Sequence, residues 1–108
     1  MNSIITFDEW GGVPWDFEGV CFVEKDNAIH HIVSGKKVHR ENGPAIIHVD
    51  DDGWQWWTNN KIHRIGGPAV LFEQEYRYYI NDIYYLEEEY WRHHLLIKHK
   101  LNMILKIS

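Results

Sequence analysis

Eight histidines, one cysteine and a run of three aspartates are the residues of this chain whose types could do chemistry. His30, His31, His39, His48, His63, His93, His94 and His99 invite a metal site. None of them stands at ligand spacing such as His-Glu-x-x-His, and no Cys-x-x-Cys pair accompanies them. His39 and His63 each sit beside an arginine and four residues before a glycine. A histidine that recurs in one local setting is expected to hold a turn rather than an ion. Cys21 lies among Val20, Phe22 and Val23, so it reads as a small core residue. A reactive thiolate needs an exposed, cationic setting. Asp50-Asp51-Asp52 lacks the ligand ladder of a calcium loop and reads as a hairpin tip. No glycine-rich loop followed by Lys-Ser or Lys-Thr is present to cradle a phosphate. These residues point to a chain that is not an enzyme and that carries no cofactor and no metal.

The aromatic residues are the stronger signal. Trp54, Trp56 and Trp57 recur as Tyr76, Tyr78 and Tyr79. Alternate residues of a strand face opposite sides, so Trp54 and Trp56 share one face with Tyr76 and Tyr78, and Trp57 shares the other with Tyr79. One face is expected to be core. The other is either covered by residues 1–18 or open to grip a protein hot spot. Arg40 and Arg64, with His39 and His63, offer a second chemistry, in which a guanidinium meets a phosphate while a ring stacks on a base.

The elements that must position these residues repeat. The run from Lys37 to Ile47 returns as Lys61 to Leu71 at an offset of 24, with His-Arg and Gly-Pro-Ala in the same places. Gly19 to Val23 reads as a degenerate earlier copy, with Val20 for Pro and Cys21 for Ala. Trp54 to Asn60 falls on His30 to Lys36, and downstream the offset shrinks to 22. Each copy reads as two short strands and two turns, the Asn59-Asn60 pair being tolerant of positive φ. One unit cannot bury its own face, so units must stack and their ends need caps. From Leu86 the period becomes helical, with Leu86, Tyr90, Ile97, Leu101 and Ile104 on one stripe. Glu87, Glu88 and Glu89 precede Lys98, Lys100 and Lys106, in the order the helix dipole favours. The expected fold is α+β, mainly β. It is an antiparallel meander of about three 24-residue repeats (residues 19–85), an N-terminal arm (1–18) and one amphipathic capping helix (86–107), in a single domain.

The unit "aromatic–x–aromatic–x–x–Asn–x–Lys–x–His–Arg–x–x–Gly–Pro–Ala" resembles tandem β-hairpin repeats of small phage and giant-virus proteins. Those arrays also end in a Glu-rich, aromatic helix. Lys37, His39, Arg40, Gly43, Pro44 and Ala45 carry the likeness, as do Lys61, His63, Arg64, Gly67, Pro68 and Ala69. It covers roughly residues 28–92. The resemblance implies a viral origin and, by analogy, a binder of host machinery such as a bacterial defence component.

Composition narrows the partners. Net charge is −5, of which residues 1–27 alone account for −5, and no basic stripe is present for a nucleic-acid backbone. No apolar run approaches a membrane span, and a lone cysteine fits a reducing cytoplasm, here the host's. The start of the chain lacks the basic and apolar regions of a signal peptide. The expectation is a host-protein inhibitor contacting its target through Asp8, Glu9, Trp10, Trp15, Trp54, Trp56, Tyr76 and Tyr78. The alternative is a protein that sequesters a nucleotide signal at Arg40, Arg64, His39 and His63. Free edge strands leave room for a homodimer.

Overall fold

The computed structural model describes residues 4–107, so the first three residues of the arm and Ser108 lie outside the description. The arm enters as β1 (Ile5–Phe7), makes one 3-10 turn at Trp10–Gly12 and leads to β2 (Gly19–Val23). A hairpin returns it as β3 (Ala28–Val33), followed by the short β4 (Lys37–Val38). The same order recurs as β5 (Ile46–His48), β6 (Trp54–Gln55), β7 (Trp57–Thr58) and β8 (Lys61–Ile62). It recurs again as β9 (Val70–Phe72), β10 (Glu75–Ile80) and β11 (Ile83–Tyr85). Two helices follow, α1 (Glu87–Arg92) and α2 (His94–Ile107).

Among the described residues nine strands form one sheet, ordered β1-β2-β3-β5-β6-β9-β10-β11 with β4 also on β3, while β7 and β8 pair by themselves. The fold is therefore a mainly β, mixed sheet of many strands followed by C-terminal helices. The pairing is mostly antiparallel, but β1 runs parallel to β2, with Ile5 opposite Cys21 and Phe7 opposite Val23. Every pairing within residues 19–85 is antiparallel, and the one parallel strand, β1, belongs to the arm, where no strand was expected. Parallel neighbours need a crossover of roughly a dozen residues, and residues 8–18 of the arm supply it.

The hairpin registers correct the alignment of the copies as well. Ile29 lies opposite Ile47, and Trp54 lies opposite Leu71, so Trp54 matches Ile29 and not His30. The cause is turn length. Val33 pairs with Lys37 across three residues, whereas Thr58 pairs with Lys61 across only Asn59 and Asn60. Those two asparagines have φ of 47° and 68°, and Asn81 and Asp82 have 48° and 69°. Both central residues at positive φ make the tight turn whose twist suits a two-residue hairpin.

The repeated residues hold this geometry together. His39 Nδ1 accepts the Asn59 N–H at 2.9 Å, and His63 Nδ1 accepts the Asn81 N–H at 3.0 Å. Each histidine thus ties its own hairpin to the turn of the next. Arg40 donates to the Pro44 carbonyl at 3.1 Å, and Arg64 to the Pro68 carbonyl at 3.0 Å. The guanidinium lies against the glycine before that proline. A Cβ on Gly43 or Gly67 would stand 2.9 Å or 2.8 Å from the arginine Cζ. Ala45 and Ala69 are fully buried. Gly67→Ala is expected to destabilise by about 1–3 kcal/mol, as overpacking does. The same change made in Arg64→Ala should cost much less, because the group it strikes is gone. Denaturant titration of the two singles and the double checks this, and additive effects would break the account.

Over the arm and the first two units the core lies on one face of the sheet. Cys21, Val23 and Ile32 pack with Val13 of the arm, and Phe7, Trp10 and Phe17 close over them. Ala28, Val38 and Ile46 continue the cluster toward Trp57. Burial pushes the Cys21 thiol up, which keeps it protonated. His30 is buried in this layer under the Trp10 ring, with centroids 5.3 Å apart. Its Nε2 stands 3.3 Å from the Asp26 carboxylate, without a well-aligned hydrogen bond to either ring nitrogen.

Desolvation lowers the His30 pKa from 6.5, although Asp26 opposes it, and burial likewise lowers His31 and His63. A histidine held below its unfolded pKa binds protons more readily in the unfolded chain. Stability is therefore full above about pH 6.5 and falls as pH drops through the lowered folded values. Thermal melts at pH 7.5 and 5 should show it, and His30→Gln should flatten the slope. An equal slope in that variant would remove His30 from the account.

The expected single helix is two. His93 adopts extended dihedrals (φ −63°, ψ 139°) and separates α1 from α2. The expected stripe is not buried either. Tyr90 is fully buried, while Leu86, Ile97, Leu101 and Ile104 are exposed. Periodicity shows which side chains share a face but not whether anything covers it. What caps the sheet is α1 and the start of α2, through Tyr90 and Leu96 packed with Ile80 of β10.

Candidate protein-interaction face

The strand registers align one residue from each of six strands into a row. Phe22 lies opposite Ile29, Ile29 opposite Ile47, Ile47 opposite Trp54, Trp54 opposite Leu71, and Leu71 opposite Tyr76. All six are apolar or aromatic. Cross-strand neighbours of this kind share one face, and it is the face opposite Cys21, His30 and Ile46. The first five are half-buried and Tyr76 is 60% exposed. Trp54 and Tyr76 touch across Leu71, with ring centroids 6.3 Å apart. At the ~4.8 Å spacing of strands the row is about 24 Å long.

One margin of the row is acidic. β1 ends, and the hairpins β2–β3, β5–β6 and β9–β10 turn, on the same edge of the sheet. Asp8, Glu9, Glu24, Asp26, Asp50, Asp51, Asp52, Glu73 and Glu75 therefore gather there although they are scattered in sequence. The nearby Lys25 is paired with Glu9 at 2.9 Å. Asp51 also accepts the Gly53 N–H at 2.9 Å, which shapes its tip.

The opposite margin is a second row, already covered. Arg40 reaches the His31 ring nitrogen at 3.3 Å, and the Arg64 guanidinium stacks 3.9 Å over the Trp56 ring. Tyr78 is covered by Tyr90 and Trp91, at 4.7 Å and 6.1 Å between centroids. The Tyr90 hydroxyl donates to the Arg64 carbonyl at 2.7 Å and accepts the Gly66 and Gly67 N–H groups at 3.0 and 3.1 Å. Burial raises its pKa, and the two N–H groups oppose the rise. The helices therefore sit on the same side of the sheet as the open row, at its far end.

The residues expected at a target interface fall in four places. Trp54 and Tyr76 lie together in the open row, and Trp56 and Tyr78 lie in the covered row beside it. Asp8 and Glu9 stand on the acidic margin. Trp10 packs on the core side, and Trp15 is 74% exposed there, with Lys36 Nζ 4.9 Å from the Trp10 ring centroid and 5.9 Å from that of Trp15. The arm thus covers the face opposite the open row. Phe22, Ile29, Ile47 and Leu71 were not among the expected residues. Their signal was the spacing of 24 from Ile47 to Leu71 and of 25 from Ile29 to Trp54.

Arg40, His63 and Arg64 do converge, around a cleft of about 250 Å³ that Glu41, Trp56, Thr58 and Ile65 also line. His39 is engaged elsewhere, with Asn59 and with Glu41 at 3.7 Å. Among the described residues, no group of three or more His, Cys, Asp or Glu side chains is placed to hold a metal ion. No helix there is long and apolar enough to cross a membrane. Set against family models, curated proteins and solved structures, the chain matches none of them.

Proposed function

We propose that this chain is a non-enzymatic interaction module, of viral or phage origin, that binds and inhibits a host protein in the host cytoplasm. In this reading the sheet is a meander of three tandem units, capped at its last unit by the helices. The observation that carries it is the open row from Phe22 to Tyr76. A chain rarely leaves so long a line of large apolar side chains partly open to solvent unless something binds there. The acidic margin adds sign. A target with an apolar ridge flanked by basic residues would be steered to this face and held on it.

The test uses the tagged chain in a bacterial lysate. A stoichiometric protein retained by the wild type and by Trp15→Ala, but lost with Trp54→Ala or Leu71→Ala, supports the reading. Retention by all three variants moves the interface off the row.

The cleft beside Trp56 favours a second reading, capture of a nucleotide signal between Arg40 and Arg64. It requires Arg64 to leave the Trp56 ring, and Glu41 opposes an anion there. Native mass spectrometry separates the two, since a bound nucleotide adds a small fixed mass that Arg40→Ala removes.

A further inference from the structure

Residues 90–107 contain no acid, while Arg92, Lys98, Lys100 and Lys106 are all basic. Along α2, Ile97, Leu101, Ile104 and Leu105 are exposed, the last at 70%. This basic helix with an open apolar stripe starts, at Leu96 packed on Ile80, on the same side of the sheet as the open row, which has an acidic margin. The chain thus carries both halves of a complementary contact. α2 has 14 residues and so spans about 21 Å, close to the length of the row.

Two identical helices of this kind repel each other, so pairing of α2 with α2 is disfavoured. Pairing α2 with the row of another copy removes that conflict. Because both features lie on one side of the sheet, two copies facing each other can satisfy both contacts at once. The result is a closed two-fold arrangement rather than an open chain. Charge selects the axis. A two-fold axis along the row brings each basic helix to the partner's acidic margin, whereas an axis along the strands brings like margins together.

We infer that the chain forms a face-to-face homodimer, in which α2 of each copy covers the open row of the other. The dimer uses the row on which the proposed function rests, and it supplies what covers that row while the target is absent.

Sedimentation velocity on the purified chain tests it. The wild type should be a dimer at low salt and should weaken as salt rises. Reversing the margin (Asp52→Lys, Glu73→Lys, Glu75→Lys) should weaken the dimer about 100-fold, and reversing the helix (Lys98→Glu, Lys100→Glu, Lys106→Glu) should do the same. All six positions are exposed, so folding should survive, and the circular dichroism of each variant checks that. Mixing the two reversed proteins should restore a dimer, because each then meets its opposite in both contacts. A wild type that stays monomeric, a dimer indifferent to either reversal, or an assembly that grows beyond two overturns the inference. A monomer that still captures a host protein through Trp54 leaves the proposed function standing. A dimer whose host capture is indifferent to Trp54→Ala removes only that function.

Discussion

Tyr90→Phe lowers the unfolding free energy by about 3 kcal/mol, roughly 10–20 °C in melting temperature for a domain of this size. The change removes one oxygen and leaves the ring in place. That oxygen serves three backbone groups, accepting from Gly66 and Gly67 and donating to the Arg64 carbonyl. Tyr90 has no exposed area, so water is poorly placed to replace it. Each buried group left without its partner costs about 1–3 kcal/mol, and Gly66 lies nearer solvent than Gly67, which keeps the total below the simple sum. Tyr84, more than half exposed, is the control, and Tyr84→Phe should stay within about 0.5 kcal/mol of wild type. The hydroxyl also sets an alkaline limit. Its raised pKa means that the unfolded chain loses this proton first. The stability it contributes is full below pH 10 and is lost as pH rises through the folded value. If Tyr90→Phe melts with the wild type, the helices are held by packing alone and the latch at Gly66 and Gly67 is not one.

The latch shows how far the sequence could be read. His39, Arg40, Gly43 and Ala45 recur as His63, Arg64, Gly67 and Ala69, and recurrence alone says that their work is structural. The positive φ of Asn59 and Asn60 followed from residue type. The partners of the histidines and of Tyr90 did not follow, because those bonds join residues 18 to 26 positions apart. The break at His93 carried no glycine or proline to announce it. The alignment slipped by one residue because Ser34-Gly35-Lys36 and Asn59-Asn60 differ in length, and a slip of one moves every side chain to the other face. That slip matters most for the candidate site. It set Trp54 level with His30, a core residue, when the register sets it level with Ile29 in the open row. The acidic margin was legible only in part. Asp26 and Asp50 stand one repeat apart, with Glu73 near the next tip, but only the sheet shows that all the tips share an edge.

Leu71→Ser and Trp54→Ser should each cost the chain its target while the fold stays. The two measurements respond to different things. Within a single copy these side chains are half-buried, with strand neighbours on either side and no described element of the same copy packed over them. A cross-strand pair of this kind contributes about 0.2–1 kcal/mol, so the melting temperature should move by only a few degrees. In a complex the same side chains lose their remaining water and sit at the centre of a six-residue row. A central anchor is worth roughly 2–4 kcal/mol on truncation, or about 30- to 1,000-fold in affinity. Position along the row should grade the effect. Phe22 stands at the end beside β1, and Phe22→Ser should cost less than Trp54→Ser. The contrast lies on the opposite face. Val23→Ser enters the fully buried cluster with Cys21, and it should unfold the chain before binding can be asked about. Isothermal titration of the captured target against each variant, with melts alongside, checks the series. Equal losses from Phe22, Trp54 and Trp15 would mean that affinity is spread over the whole surface, and equal melting losses at Trp54 and Val23 would mean that the row is a second core rather than an interface.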